Sequence, residues 1–220
     1  MEDIKKVPQV AVSVDAAVGI VKGFKPTKFD QSIELIVSLG IDAKQADQMI
    51  RGSMSLPHGI GKTKRVIAFC PEHLVPAATA AGAIRAGGQE LVAAIEKEGF
   101  TDFDVAVATP DMMRFVGRLG KVLGPKGLMP SPKAGTVTPD VANAVREYAA
   151  GKIEFRNDSG GNVHTVVGKQ SFDNTHLIAN INAMITHLRR VKPPASKGTY
   201  FRKAVLKGSM TPAVVLEIHH

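Results

Sequence analysis

The sequence predicts an α/β protein in which an α+β domain built from both chain ends is interrupted by a smaller, inserted parallel α/β domain. Three observations predict it. An alternating strand pattern at Ser32–Leu39, with a second strand-like stretch at Arg51–Leu56, gives way at Arg65–Cys70 (RVIAFC) to a short continuous apolar run feeding an Ala-rich helix. Strand-like and helix-like segments then alternate, which argues a parallel sheet with right-handed crossovers. Near Ala150–Gly151 the earlier pattern returns with KIEFRND. The outer domain is accordingly residues 1–60 plus 151–220, and the insert is residues 61–150. Gly59, Gly61 and Gly151, in the two short crossings between them, are read as a hinge.

The first helix starts after Ser13, whose hydroxyl suits an N-cap, and Val14, Ala17, Val18 and Val21 recur at helical spacing. Gly23 ends it and Pro26 keeps it ended. In Ser32–Leu39, Ile33, Leu35, Val37 and Leu39 share one face, and only Ile36 disturbs the alternation. Asp42 is read as the cap of a short helix through Met49. The strand at Arg51–Leu56 stops at Pro57, which has no N–H to give a ladder.

Within the insert, Arg65–Cys70 and Asp104–Ala108 read as buried strands, and Glu72–Ala81 and Gln89–Lys97 as helices. Thr138-Pro139-Asp140 has the chemistry of a cap and first turn for a helix to Ala149. Gly117–Thr136 (GRLGKVLGPKGLMPSPKAGT) holds five glycines and three prolines, so it reads as an irregular loop. Leu119, Val122, Leu123, Leu128 and Met129 anchor it. It carries Arg118, Lys121, Lys126 and Lys133 and no acid.

After the insert, IEFR, a turn at Asn157–Gly161 and NVHTVVG read as a β-hairpin. Asn174–Arg190 reads as a helix with a stripe of Leu177, Ile181, Ile185 and Leu188. Arg189, Arg190 and Lys192 suit its negative end, and Pro193-Pro194 stops it. Thr199–Leu206 and Ala213–Ile218 complete the strands around a loop at Gly208–Pro212.

Composition bounds the partner. The 220 residues carry a formal net charge of +8, which points to a polyanion. Residues 61–150 hold 11 basic against 9 acidic residues, and the rest holds 17 against 11, so the outer domain is the better phosphate-facing surface. A lone cysteine, Cys70, excludes an internal disulfide and a multi-cysteine zinc site. Met1–Lys6 lacks the apolar run of a secretory signal, and Leu74–Ile84 is too short to span a bilayer, so no membrane partner and a cytoplasmic setting are expected. His219-His220 is either native or a tag remnant.

The enzyme readings fail on spacing. Gly61-Lys62-Thr63 looks like the end of a phosphate-binding loop, but the position five residues earlier is Leu56, so the backbone nest is unspecified. No G-x-G-x-x-G follows a strand and opens a helix, and neither G-x-S-x-G nor H-E-x-x-H occurs. No enzyme activity, cofactor or metal is expected. With no Trp and 5% aromatic residues, a multi-base stacking platform is also excluded. Recognition is expected to work through phosphates, 2′-hydroxyls and RNA shape. Lys22, Lys25 and Lys28 precede Phe29, and Lys197, Arg202, Lys203 and Lys207 precede the last loop, and these groups share one face if the outer domain closes on itself.

KFDQSIEL (Lys28–Leu35), IRGSMSLPHGIGK (Ile50–Lys62), ATPDMM (Ala108–Met113), GKVLGPKGLMPSPKAGT (Gly120–Thr136), EFRND with GGNVH (Glu154–His164) and KPPASKGTY (Lys192–Tyr200) together resemble the blocks of the ribosomal protein L-one family, the first-numbered protein of the large subunit, in its bacterial form. The resemblance implies an rRNA-binding domain made of both chain ends with a Rossmann-like domain inserted. It implies binding to the large-subunit rRNA stalk beside the tRNA exit site, as a monomer when free of the ribosome. It implies help in releasing exit-site tRNA and repression of the protein's own operon mRNA. Carried over residue by residue, RNA binding falls on Lys28, Phe29, Ser32, Asp158, His164, Ser209, Met210 and Thr211. Arg118, Lys121, Lys126 and Lys133 then form a tRNA-facing loop.

One position departs from the family pattern. The terminal loop of the family usually reads Thr-Met-Gly-Pro, whereas this chain has Ser209-Met210-Thr211-Pro212. A Cβ at Thr211 is costly where φ is positive, so either the loop is rearranged or the glycine of the family has an ordinary conformation.

Overall fold

A computed structural model describes residues 7–218. The expectations for Met1–Lys6 and for His219-His220 lie outside the described residues. The chain divides into two compact units: the chain up to Gly61 together with Ile153 onward, and Lys62–Lys152.

In the first unit, α1 (Val14–Lys22) is capped by Ser13, whose hydroxyl accepts from the Ala16 N–H, and it buries Ala17, Val18 and Val21. β1 (Ser32–Leu39) alternates without exception: Ile33, Leu35, Val37 and Leu39 are buried, and Ile36 takes its place among the half-buried residues of the other face. A four-stranded antiparallel sheet runs in the order β7-β1-β8-β9, where β7 is Asn162–Lys169, β8 Phe201–Gly208 and β9 Val214–Leu216. The buried sides of these strands share one core with α1 and with Leu177, Ile181, Met184 and Leu188 of the long C-terminal helix, Asn174–Arg190. Both helices therefore cover one side of the sheet and leave the other uncovered.

Two expectations for this unit change. Asp42–Met49 forms successive turns, not a helix. The Asp42 carboxylate accepts from the Lys44 N–H at 3.0 Å, an Asx-turn that competes with helical capping, and no apolar stripe rewards a helix there. The expected hairpin is also not a hairpin. β6 (Ile153–Arg156) pairs with β2 (Arg51–Met54) as a separate two-stranded ribbon, while β7 pairs with β1. The chain does turn back at Asp158, whose N–H donates to the Asn162 carbonyl at 2.8 Å, but antiparallel pairing stops at an isolated bridge between Asn157 and Val163. β6 takes its ladder from β2 instead, with Phe155 packed against Gly52 and edge-on to the His187 ring.

The second unit is a three-stranded parallel sheet in the order β4-β3-β5, with β3 at Val66–Phe69, β4 at Arg85–Gly87 and β5 at Val105–Ala108. Between them come a 3-10 turn at Glu72–Leu74, α2 (Val75–Ala80) and α3 (Gln89–Glu98). Alternate residues of β3 feed two cores: Ile67 and Phe69 with Ile95 and Leu119, and Val66 and Ala68 with Val145 and Tyr148. β4 has no apolar run of its own, and its pairing with β3 brings its backbone into the sheet.

The glycine-rich segment is partly helical, with α4 (Met113–Val116), a 3-10 turn at Gly117–Leu119, α5 (Gly120–Leu123) and a second 3-10 turn at Pro132–Ala134. Leu119 and Leu123 are fully buried, and Val122, Leu128 and Met129 pack against the same core. Tyr148, on α6 (Val141–Ala149), donates its hydroxyl to the Ala134 carbonyl at 2.6 Å and ties the segment down. Asp140 caps α6 by accepting from the Asn143 N–H.

Candidate nucleic-acid interface

The register of the four-stranded sheet decides which side chains share its uncovered face. Directly opposed residues on neighbouring strands point to the same side. Glu34 of β1 stands opposite Val166 and Lys207, Ile36 opposite His164 and Val205, and Ser38 opposite Asn162 and Lys203. The face is thus a short apolar strip of Ile36, Val166 and Val205 edged by polar and basic groups. Lys207 pairs with Glu34 at 3.5 Å, while His164 and Lys203 are exposed.

At one end of the sheet, the backbone places four of the expected residues together. Ser209 donates its N–H to the Ser32 carbonyl at 3.0 Å. Buried Gln31 links the segments, since its Oε1 accepts from the Met210 N–H and its Nε2 donates to Gln170 Oε1. Thr211 turns its hydroxyl inward to accept from the Gly208 N–H at 2.7 Å. Met210 is held outward and is 72% exposed. Phe29 precedes the same strand end and is 55% exposed, so it is not a core residue. Lys28 is exposed beside it. Lys169, which the sequence did not single out, donates to Ser32 Oγ at 3.0 Å; strand register alone brings it there.

Thr211 takes a backbone conformation open to any residue. No residue other than glycine has positive φ among those described, so the Cβ of Thr211 is unstrained. Its hydroxyl instead supplies a turn-closing acceptor that a glycine lacks.

Asp158 and His164 belong to the other end of the face. β1 runs from Ser32, opposite Lys169, to Ser38, opposite Asn162, a span of roughly 20 Å at strand rise. The expected contact residues thus form two groups joined by the open sheet. The Asp158 carboxylate accepts from the Asn162 N–H at 2.7 Å, the Gly160 N–H at 2.8 Å and Asn162 Nδ2 at 3.0 Å. Those donors, the Asn162 N–H first, hold its pKa down to about 2, and His164 Nε2 lies 3.5 Å away. Asp158 therefore commits its carboxylate to its own turn.

Not every basic residue joins this face. Lys22 donates to Asn174 Oδ1 at 2.9 Å and to the Phe172 carbonyl, where it bridges the two covering helices. In the second unit Arg118, Lys121, Lys126 and Lys133 are all exposed, and Lys126 donates to Thr101 Oγ1. Gly59, Gly61 and Gly151 have φ of 62°, 71° and 103°, values that favour glycine. Burial pushes the Cys70 thiol pKa up, as suits an inert core side chain. Among the described residues no group of three or more His, Cys, Asp or Glu side chains is placed to hold a metal.

Comparison with known proteins agrees with these observations. The model of the Ribosomal protein L1p/L10e family matches residues 21–212. The chain is similar to the large ribosomal subunit protein uL1 of Streptomyces coelicolor, with 51% identity over 201 residues that cover 91% of this chain and 83% of that protein. It is also similar to uL1 of Kosmotoga olearia, at 48% over 207 residues, 94% and 89% of the two chains. With uL1 of Clavibacter michiganensis it shares 48% over 212 residues, 96% and 92% of the two chains.

Proposed function

We propose a function from one premise: this chain belongs to the Ribosomal protein L1p/L10e family. It is a structural protein of the large ribosomal subunit and not an enzyme, and its partner is large-subunit rRNA in the cytoplasmic ribosome. In the finer reading, the open face of the β7-β1-β8-β9 sheet docks on the folded rRNA stalk beside the tRNA exit site. Phe29 and Met210 meet the RNA at one end, His164 and the Asp158 turn meet it at the other, and Lys203 contacts phosphate between them.

The observation that carries this reading is the exposure of Phe29 and Met210 at one strand end, where buried Gln31 and Thr211 fix the loop. Two large apolar side chains exposed at one strand end, one of them on the loop that Gln31 holds through the Met210 N–H, suit a partner better than the core. Arg118, Lys121, Lys126 and Lys133 face the departing tRNA in the same reading. The glycines at 59, 61 and 151 form the hinge, and a second RNA of similar shape, the protein's own operon mRNA, competes for the sheet face.

A footprint of the full chain on isolated large-subunit rRNA tests the reading. A single protected stalk-like segment is expected, and uniform weak protection overturns it. An assembly role for the same RNA-binding surface is the second reading. Co-sedimentation with finished large subunits favours the resident protein, and loss from finished subunits favours assembly.

A further inference from the structure

We propose that the two-stranded ribbon β2–β6 carries a second RNA-backbone site, a cleft whose phosphate ligands are Arg51 and Arg156. This inference rests on the reading of the protein as an rRNA binder, and it extends the contact surface beyond the four-stranded sheet.

Arg51 stands directly opposite Arg156, and Gly52 directly opposite Phe155. Phe155 is buried, with its ring edge-on to His187 at 5.4 Å, so the Gly52–Phe155 side is the inner one. A Cβ on Gly52 would stand 2.9 Å from that ring, which keeps the inner side closed. Both arginines therefore project from the outer side as a like-charged, directly opposed pair, an arrangement that works against the ribbon. Both are exposed, and neither forms an ion pair among the described residues. A fold that sets two arginines directly opposite each other and pairs neither with a carboxylate leaves their charge for an external anion.

The surroundings are built, and they are continuous with the first interface. Asn157 clamps Ile50 from both sides: its N–H donates to the Ile50 carbonyl at 3.0 Å, and its Oδ1 accepts from the Ile50 N–H at 2.8 Å. That clamp fixes the arginine pair beside the Asp158 turn. The result is a cleft of about 630 Å³ lined by Arg51, Arg156, Met49, Ser159 and His164, among others. Met49 is 54% exposed, an apolar contact for a ribose or base edge. Glu154, one register pair farther along, also lines the cleft. A carboxylate there accepts a ribose 2′-hydroxyl, so the chemistry suits an RNA backbone better than a bare anion. An RNA strand that leaves the sheet face past His164 enters this cleft next.

Binding of the full chain to a transcript of the large-subunit rRNA, measured across a salt series, tests the site. Arg51→Gln and Arg156→Gln are each expected to weaken binding about five- to tenfold near 0.1 M salt and to lower the salt slope by about one. Thermal unfolding of both variants is expected to be unchanged or raised, because a repulsion is removed. That opposition of stability and affinity separates an RNA ligand from a structural residue. Lys97→Gln, on the other unit, controls for the loss of one positive charge.

A hydroxyl-radical probe tethered at Met49→Cys is a second readout, since buried Cys70 does not react. Localised rRNA cleavage from that position is expected. If the wild type binds the transcript while both arginine variants match Lys97→Gln and the tethered probe cuts nothing, the cleft proposal is overturned and the sheet-face reading survives; an acidic protein partner for the cleft gives that same result. If the wild type itself binds no better than to unrelated RNA, both fall.

Discussion

Asn180, fully buried on the helix Asn174–Arg190, donates its Nδ2 to the Gly59 carbonyl at 2.9 Å. The same amide donates to the Val167 carbonyl at 2.7 Å, and its Oδ1 accepts from the His58 N–H at 3.1 Å. One side chain thus fastens His58 and Gly59 to both helix and sheet. Asn180→Ala leaves buried backbone groups unpaired and is expected to destabilise the unit by about 2–4 kcal/mol. Denaturant unfolding, together with faster hydrogen exchange at His58, measures it.

The same fastening limits which residues of this crossing can act as a pivot. Proline at Gly59 or Gly61 is incompatible with φ of 62° or 71°, and a Cβ on Gly61 also meets the Phe172 ring at 2.7 Å. Those substitutions are expected to damage the fold instead of stiffening a pivot. Thr63→Pro, beyond the fastened segment, is expected to narrow the spread of domain separations in solution scattering. An unchanged spread counts against a hinge at this crossing.

Phe29 is exposed, so Phe29→Ala is expected to leave the melting temperature within about 1 °C, as surface substitutions do. Affinity for stalk rRNA is expected to fall roughly tenfold, the cost of one well-placed aromatic contact. Calorimetric melting and an RNA titration on the same preparation separate these effects.

At the terminal loop, Thr211→Val removes the acceptor for the Gly208 N–H and is expected to cost about 1 kcal/mol. Thr211→Ser keeps the acceptor and is expected to keep stability. RNA affinity is expected to follow the same order, because the turn sets the direction of Met210. Equal affinity for both variants would separate the turn from recognition.

The Asp158 carboxylate has a folded-state pKa of about 2, below its ordinary 3.8. The depressed value means that its contribution to stability is present above about pH 4 and is lost as pH falls toward 2. Asp158→Asn is therefore expected to flatten the acid limb of the stability profile in that window and to leave the profile near pH 7 parallel to wild type. Urea unfolding from pH 2 to 7 measures both.

Local chemistry was legible in the residues. The strict alternation of Ser32–Leu39 named its buried face, Ser13 named one cap, Thr138-Pro139-Asp140 named a helix start that the structure sets at Asp140, and leucines in Gly117–Thr136 named the anchors of a segment rich in glycine and proline. The same reading missed the short strand Arg85–Gly87, whose three residues carry no period. A turn between two strands reads as a hairpin, which joins Ile153–Arg156 to Asn162–Lys169, although Ile153–Arg156 takes its ladder from Arg51–Met54.

What the sequence by itself determined is therefore a set of features settled within a few residues: alternation, two helix starts, the glycines of the crossings, and the family blocks. Tertiary structure alone decided which strand lies beside which. That choice set Arg51 against Arg156, brought Lys169 to Ser32, and put Asp158 and Ser209 at opposite ends of one open sheet. The physical reason is that ladder hydrogen bonds are chemically the same for any pair of strands, so only the burial of distant side chains in a common core selects the partner and the register.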